Sequence, residues 1–292
     1  MKQAYFKHIL ALLLFGSNGI IASYILLSSH EIVFLRTLLG SLLLITIFAI
    51  TRQPVTFHKH RKSLLFLVCS GISMGASWMF LYEAYQQIGV SISSLIYYCG
   101  PMIVMALSPV LFKEKLTLPK LMGFFTVLAG LLLINGEIIQ DRTNGWGIFC
   151  GLMSAMTYAT MVMFNKKSAP ISGLENSMLQ LITSFLTVAV FVGIRQQFVI
   201  PLKETDLIPI LVLGLVNTGV GCYWYFSSLT KLPVQTVSVC GYLEPLSAVI
   251  FSAVFLHETM SWLQLVGAVL IIGGAVYAEF GMFSRKTTAS NR

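Results

Sequence analysis

The chain has 292 residues, of which 56% are hydrophobic and 10% charged, with a formal net charge of +8. A soluble domain carries about a quarter charged residues, so the shortage of charge marks an integral membrane protein. The basic excess does not describe a nucleic-acid binder, because the lysines and arginines sit in short clusters between apolar runs and form no continuous patch.

A membrane-crossing helix takes roughly 20 apolar residues. Taken in chain order, the runs predict spans at Ile9–Leu27, Ile32–Ile50, Leu64–Tyr85, Ser91–Phe112, Leu121–Asn135, Trp146–Phe164, Asn176–Ile194, Leu207–Leu229, Val234–Leu256 and Leu263–Phe283. Lys2 and Lys7 before the first run resemble the start of a signal peptide. Gly16, Ser17, Asn18 and Gly19 interrupt its core, however, and no small-x-small cleavage site follows, so it reads as a span. With the N-terminus inside, fifteen lysines and arginines fall on the cytoplasmic side and three (Arg142, Arg195, Lys203) outside, with Arg36 left inside a span. This bias predicts a multi-pass protein of the cell membrane, plasma or bacterial inner, with both termini cytoplasmic.

The chain matches itself at an offset of 144 positions. Val90 meets Val234, Ser94 meets Ser238, Tyr98 meets Tyr242, Pro101 meets Pro245, Glu114 meets Glu258, Gly123 meets Gly267 and Gly130 meets Gly274, without a gap. Each copy holds five spans, so the second enters the membrane from the opposite side. The expected architecture is an all-α membrane protein of ten transmembrane helices in two inverted five-helix repeats, residues 1–143 and 144–292. Inverted repeats with matched helix interruptions are a transporter design, and the interruptions point to the binding site. Pro101 and Pro245 are those interruptions here.

Glu244 is the acid of the last of these stretches. It lies about ten residues into its run, ~15 Å at helical rise and near mid-depth. An intramembrane acid is a functional-site candidate by default. It can carry a coupling proton, bind a substrate ammonium, or serve structurally by capping the break at Pro245. Tyr97, Tyr98 and Tyr242 lie too deep to be interfacial belt residues and either line a pocket or pack the core. Trp78 and Tyr82, at i and i+4, share a helix face, and Trp224 lies in an aromatic cluster with Tyr223 and Tyr225. Asn18, Tyr158 and Asn217 bring hydrogen-bonding groups to mid-depth, where interhelical bonding is the competing role. Arg36 and Glu83, near the outer ends of their spans, are expected to pair with each other; the alternatives for Arg36 are to snorkel or to meet a carboxylate at the outer mouth. Glu114 and Glu258 are expected to serve the start of the helix that follows each, with Thr117 or Ser261 as cap. The histidines His8, His30, His58, His60 and His257 sit at span ends or loops and read as solvated. The five cysteines read as small buried hydrophobes. Gly71/Gly75 and Gly147/Gly151 have GxxxG spacing, which suits packing within the bundle or a dimer face; the GxSxG around Ser73 lies inside a span and reads as chance.

The run Tyr242-Leu-Glu-Pro-Leu-Ser, with Leu256-His-Glu258, Leu265-Val-Gly267 and Gly273-Gly274, resembles the C-terminal repeat of EamA-type drug/metabolite transporters. The resemblance covers Met1 to Phe283. It implies a central cavity among spans three, four, eight and nine, with spans five and ten at the periphery, and export of small metabolites such as amino acids. The first repeat has Gly100 where the second has Glu244, so a symmetric pair of carboxylates is not expected. An exporter of cationic drugs or amines is the alternative substrate reading. A non-selective structural or lipid-scrambling protein is the alternative of another class, and Glu244 and the paired prolines argue against it. The partners expected are a small-molecule substrate, the bilayer and protons as a candidate coupling ion. No Walker A or HExxH motif is present, and no cofactor or metal site is expected.

Overall fold

The computed structural model describes residues 2–88, 90–135, 145–196, 200–255 and 261–289. Among these every regular element is helical. The helices are α1 (Lys2–Gly16), α2 (Asn18–Ser23), α3 (Ser29–Thr51), α4 (Arg61–Ile88), α5 (Val90–Tyr97), α6 (Cys99–Phe112), α7 (Leu118–Asn135), α8 (Gly145–Lys167), α9 (Gly173–Gln196), α10 (Glu204–Leu211), α11 (Gly221–Leu229), α12 (Val234–Cys240), α13 (Leu243–Phe255) and α14 (Trp262–Ala289). A π-helical stretch, Val212–Val220, joins α10 to α11. Among the described residues, six stretches are long and apolar enough to cross a membrane: Lys2–Ser23, Ser29–Thr51, Arg61–Ile88, Gly145–Lys167, Gly173–Ile194 and Glu204–Leu229. Shorter apolar helices are Cys99–Phe112, Leu118–Leu133 and Leu265–Ala278. Large side chains such as Ile194 (81% exposed) and Val110 (78% exposed) face outward, which suits a lipid-facing surface.

The interruptions fall just before the prolines rather than at them. Tyr98 separates α5 from α6, and Gly241–Tyr242 separate α12 from α13. Pro101 and Pro245 then occupy the first turn of α6 and α13, where a missing N–H costs little because that donor has no intrahelical acceptor anyway. The two breaks touch. The Tyr242 hydroxyl donates to the Tyr98 carbonyl at 3.1 Å, and a Cβ built on Gly241 would lie 3.5 Å from the Pro101 ring. In hydrocarbon an unpaired carbonyl costs several kcal/mol, and the second break supplies a donor to a carbonyl at the first.

Glycines set the closest approaches. A Cβ on Gly123 of α7 would sit 2.5 Å from the Gly274 carbonyl oxygen of α14, and one on Gly130 2.5 Å from the Gly267 oxygen. Gly71 and Gly75 of α4 likewise press on Thr183, Ser184 and Thr187 of α9, while Gly147 and Gly151 of α8 press on Ile88 and Ile96. Both GxxxG spacings therefore serve packing within the chain. Gly16 meets α13 more closely still, a Cβ there falling 1.9 Å from Ser247 Oγ and 2.9 Å from the Glu244 carbonyl oxygen.

At the end of the bundle that holds the α3–α4 loop, charged side chains tie helix termini together. Glu175 accepts from the backbone N–H of Thr56 (2.6 Å) and Phe57 (2.9 Å) and from the Thr56 hydroxyl. Glu114 accepts from Val234 N–H (2.8 Å) and Gln235 N–H (3.1 Å), so it caps α12 and not the adjacent α7. That corrects the sequence expectation: a carboxylate is stabilised at whichever helix N-terminus lies nearest in space, and here that helix is 120 residues away. Lys166 donates to the carbonyls of Leu229, Thr230 and Leu232 at the C-terminal end of α11. His8 is buried, not solvated. Its Nδ1 lies 3.0 Å from Ser228 Oγ and its ring stacks on Tyr225. His30 is buried as well, 3.8 Å from the Glu83 carboxylate, whereas His58 and His60 are exposed. Glu258, His257, Arg142 and Arg292 lie outside the described residues.

The glycine contacts lead to a measurable contrast. Gly123→Val forces α7 off α14, and overpacking of this kind costs about 1–3 kcal/mol. The thermal midpoint of the detergent-purified protein should drop by several degrees. Gly19→Ala, which meets nothing within 4 Å, should leave it unchanged or slightly raised.

Candidate functional site

Beside the paired breaks lies a cavity of about 550 Å³. It is walled by α1 and α2 (Phe15, Asn18, Ala22), α3 (Ile32, Arg36), α4 (Trp78, Tyr82, Tyr85), Tyr97 and Tyr98 at the first break, and α13 (Glu244, Ala248). It extends to Ser23, Ile25, Leu27 and Ser29, where α2 passes into α3, and to Gln86 near the end of α4. Its mouth is therefore at the end opposite the glutamate and lysine ties. A smaller chamber of about 60 Å³ continues inward, sharing Phe15, Asn18, Arg36, Trp78, Tyr97 and Glu244 and adding Met74, Tyr158, Met161, Cys222, Tyr225 and Phe226. Below it the structure closes. Tyr97 lies edge-on to Tyr158, the Tyr158 and Tyr225 hydroxyls are 3.2 Å apart, and Tyr225 stacks on buried His8.

The second break places Glu244 in the first turn of α13, where the helix dipole favours an acid. Its carboxylate makes no hydrogen bond or ion pair with a described residue. Arg36 reaches the same cavity from α3 and is 4% exposed. Its Nε donates to Thr218 Oγ1 at 2.9 Å, and its guanidinium lies 4.6 Å from the Trp78 ring centroid. The π-helical stretch prepares that contact: the Thr218 hydroxyl donates to the Leu213 carbonyl, five residues back, and accepts from Arg36. π-Helical turns are frequent at functional sites because they re-aim side chains without ending the helix.

Seven of the ten candidate site residues line these spaces: Glu244, Tyr97, Tyr98, Trp78, Tyr82, Asn18 and Tyr158. Three do not. Tyr242 is fully buried behind the break, edge-on to Phe124, and acts through its bond to the Tyr98 carbonyl. Asn217 is 1% exposed and donates to the Leu14 carbonyl, Ser17 Oγ and Asn18 Oδ1, the interhelical role foreseen for it. Trp224 packs against the main core. Arg36 does not pair with Glu83, which instead accepts from Gln87 and Trp146 at 3.2 Å each and faces His30. Of the roles open to Arg36, pairing with Glu83 is excluded and its place on the cavity wall leaves the carboxylate-meeting role standing; an arginine within an apolar run is itself the mark of a functional site.

Comparison with known proteins points to a family of transporters. An uncharacterized transporter of Bacillus subtilis, YxxF, is 25% identical over 276 residues, spanning 94% of this chain and 88% of that protein. An uncharacterized inner membrane transporter of Escherichia coli, YhbE, is 23% identical over 270 residues, 86% of this chain and 82% of that protein. A protein of Salmonella typhimurium named a probable amino-acid metabolite efflux pump is 26% identical over 207 residues, 67% of this chain and 69% of that protein. A crystal structure 17% identical in sequence superposes with a TM-score of 0.79 over 94% of this chain and 97% of its own, which shows a shared fold. The EamA-like transporter family matches residues 3–136 and again residues 145–279, and the chain, a multi-pass membrane protein, belongs to that family.

Proposed function

We propose that the chain is a secondary transporter, an exporter of small organic metabolites such as amino acids, that alternates access around the cavity beside the two helix breaks. The observation that carries this reading is Glu244, an acid without a hydrogen-bond or ion-pair partner among the described residues, on an aromatic cavity at a break within the bundle. A scaffold or lipid scramblase has no use for such a group, and burying it is costly.

Ten transmembrane helices follow when each interrupted helix is counted as one span: α1 with α2, α5 with α6, α10 with α11, and α12 with α13. Reciprocal contacts support two inverted repeats, 1–143 and 144–292. Gly123 meets Gly274 and Gly130 meets Gly267, while the sequence offset equates Gly123 with Gly267 and Gly130 with Gly274. Contacts of i with j′ and j with i′ are what a two-fold axis produces. The hydrogen bond between Tyr242 and Tyr98 joins a residue to its own repeat mate. With the lysine and arginine bias setting both termini inside, the cavity mouth is external and the glutamate and lysine ties close the cytoplasmic side. Transport then requires those ties to part while the mouth shuts.

Orientation is tested by labelling single cysteines with a membrane-impermeant reagent. Ser23→Cys should react from outside only, and Lys59→Cys and Arg61→Cys from the cytoplasm only. The reverse pattern contradicts the orientation.

Function is tested by flux in proteoliposomes. Uptake of an amino acid by counterflow should be saturable and stimulated by substrate on the opposite side. Glu244→Gln keeps shape and removes charge, and losing a charge-assisted contact worth ~1.5–3 kcal/mol should lower net flux about tenfold or more. If Glu244 carries the coupling proton, the variant loses pH-driven flux and keeps exchange. If it holds the substrate amine, both are lost. Normal, still pH-dependent flux in folded Glu244→Gln would remove Glu244 from the mechanism.

A further inference from the structure

Two opposite charges face the cavity, and neither has an ion-pair partner among the described residues. Glu244 has no hydrogen-bond or ion-pair partner among the described residues. Arg36 is held by only one edge of its guanidinium, Nε on Thr218, and by one face, on Trp78. Its two terminal amino groups have no protein acceptor among the described residues. No nitrogen of Arg36 comes within 4.0 Å of a Glu244 oxygen. In a low-dielectric site an acid and a base this exposed to each other's field should collapse into a pair. The Thr218 and Trp78 contacts hold Arg36 back from doing so, and the position of Glu244 at the start of α13 holds the acid.

We propose that Arg36 and Glu244 are the two poles of a zwitterion site, Arg36 receiving the carboxylate and Glu244 the ammonium of a free α-amino acid. This rests on the transporter reading above and narrows it. The free edge of a guanidinium offers two parallel N–H donors, which fit a carboxylate and fit an ammonium not at all. Glu244 offers acceptors only. A ligand with both charges on one carbon bridges the gap and pairs each pole, and its side chain lies against Trp78, Tyr97 and Tyr158.

Selectivity follows from the cost of closing over a bare charge. With a zwitterion bound, every charge in the chamber has a partner, so the mouth can shut. With the site empty, Arg36 can leave Thr218 and Trp78 to join Glu244 directly, and the empty carrier can return. A simple amine satisfies Glu244 and leaves Arg36 buried without an anion, a state that strongly disfavours closure. A simple carboxylate leaves Glu244 in the same position. The site therefore selects against singly charged drugs, including the cationic ones that Glu244 alone would attract.

The test uses the full-length protein in detergent and in proteoliposomes, with L-phenylalanine and L-leucine as zwitterions. The singly charged probes are 2-phenylethylamine and 3-phenylpropanoate, which keep the aromatic body and delete one pole each. Titration calorimetry on the unaltered protein should show at least one zwitterion bound tenfold or more tightly than either singly charged probe. Arg36→Gln should weaken the zwitterion at least tenfold and leave 2-phenylethylamine as tight or tighter. Glu244→Gln should show the mirror pattern, with 3-phenylpropanoate retained. Arg36→Lys keeps the charge but not the fork. It covers the case in which Arg36→Gln does not fold, and it should weaken the zwitterion while leaving the amine unchanged. Equal affinity of the unaltered protein for phenylalanine and phenylethylamine, or an equal loss for all probes in the Arg36 variants, would overturn the proposal. Saturable flux of another solute with no zwitterion binding overturns it and leaves the transporter reading intact. No saturable flux of any solute overturns both.

Discussion

The structure depends on how a membrane protein hides a broken helix. Backbone carbonyls and amides released by an interruption have no water to turn to in the hydrocarbon. Here two interruptions, at Tyr98 and at Gly241–Tyr242, lie against each other, and the Tyr242 hydroxyl covers the Tyr98 carbonyl. That contact joins the start of α6 to the start of α13. It puts Glu244 into the first turn of α13, facing a cavity, and Gly16 allows α1 to lie close beside it. One backbone constraint thus links the helix pattern, the packing and the position of the acid.

A second constraint acts at the closed end. Glu114 and Lys166 bracket the turn between α11 and α12, the acid on its amides and the base on its carbonyls. Each charge complements the helix terminus it meets. Such ties are specific in geometry and, being partly exposed to water, modest in strength. That combination suits a contact that holds one side shut and can be released. At the other end the cavity widens between α2 and α4.

Much of this was legible in the sequence because depth along a helix follows from counting residues. The positions of the helices and the paired interruptions come from run lengths and from the sequence match at an offset of 144. Which way a side chain points around its helix does not. Tyr97, Tyr98 and Tyr242 have similar depths, yet Tyr97 lines the chamber and Tyr242 is sealed behind the break. Apolar runs give no polar face from which to read rotation, so these cases were inseparable. Glu114 was recognisable as a helix-capping acid, but the helix it caps is distant in sequence. Arg36 was undecided for another reason. Its place near a span end suits pairing, snorkelling or meeting a carboxylate at the mouth, and only the Thr218 hydroxyl, placed by a π-helical turn that no sequence pattern announces, shows that it is held inward.

The central claim is that the cavity is exposed to one side at a time, with movement at the helix breaks. Distances between spin labels in lipid bilayers measure this directly. One pair on Tyr24 and Gln86 reports the mouth, and another on Lys115 and Lys231 reports the closed end beside the Glu114 tie. With saturating substrate or a shifted pH, the account predicts reciprocal change: a population in which the first distance shortens while the second lengthens. Distances that stay fixed at both ends in protein that is actively transporting would contradict it.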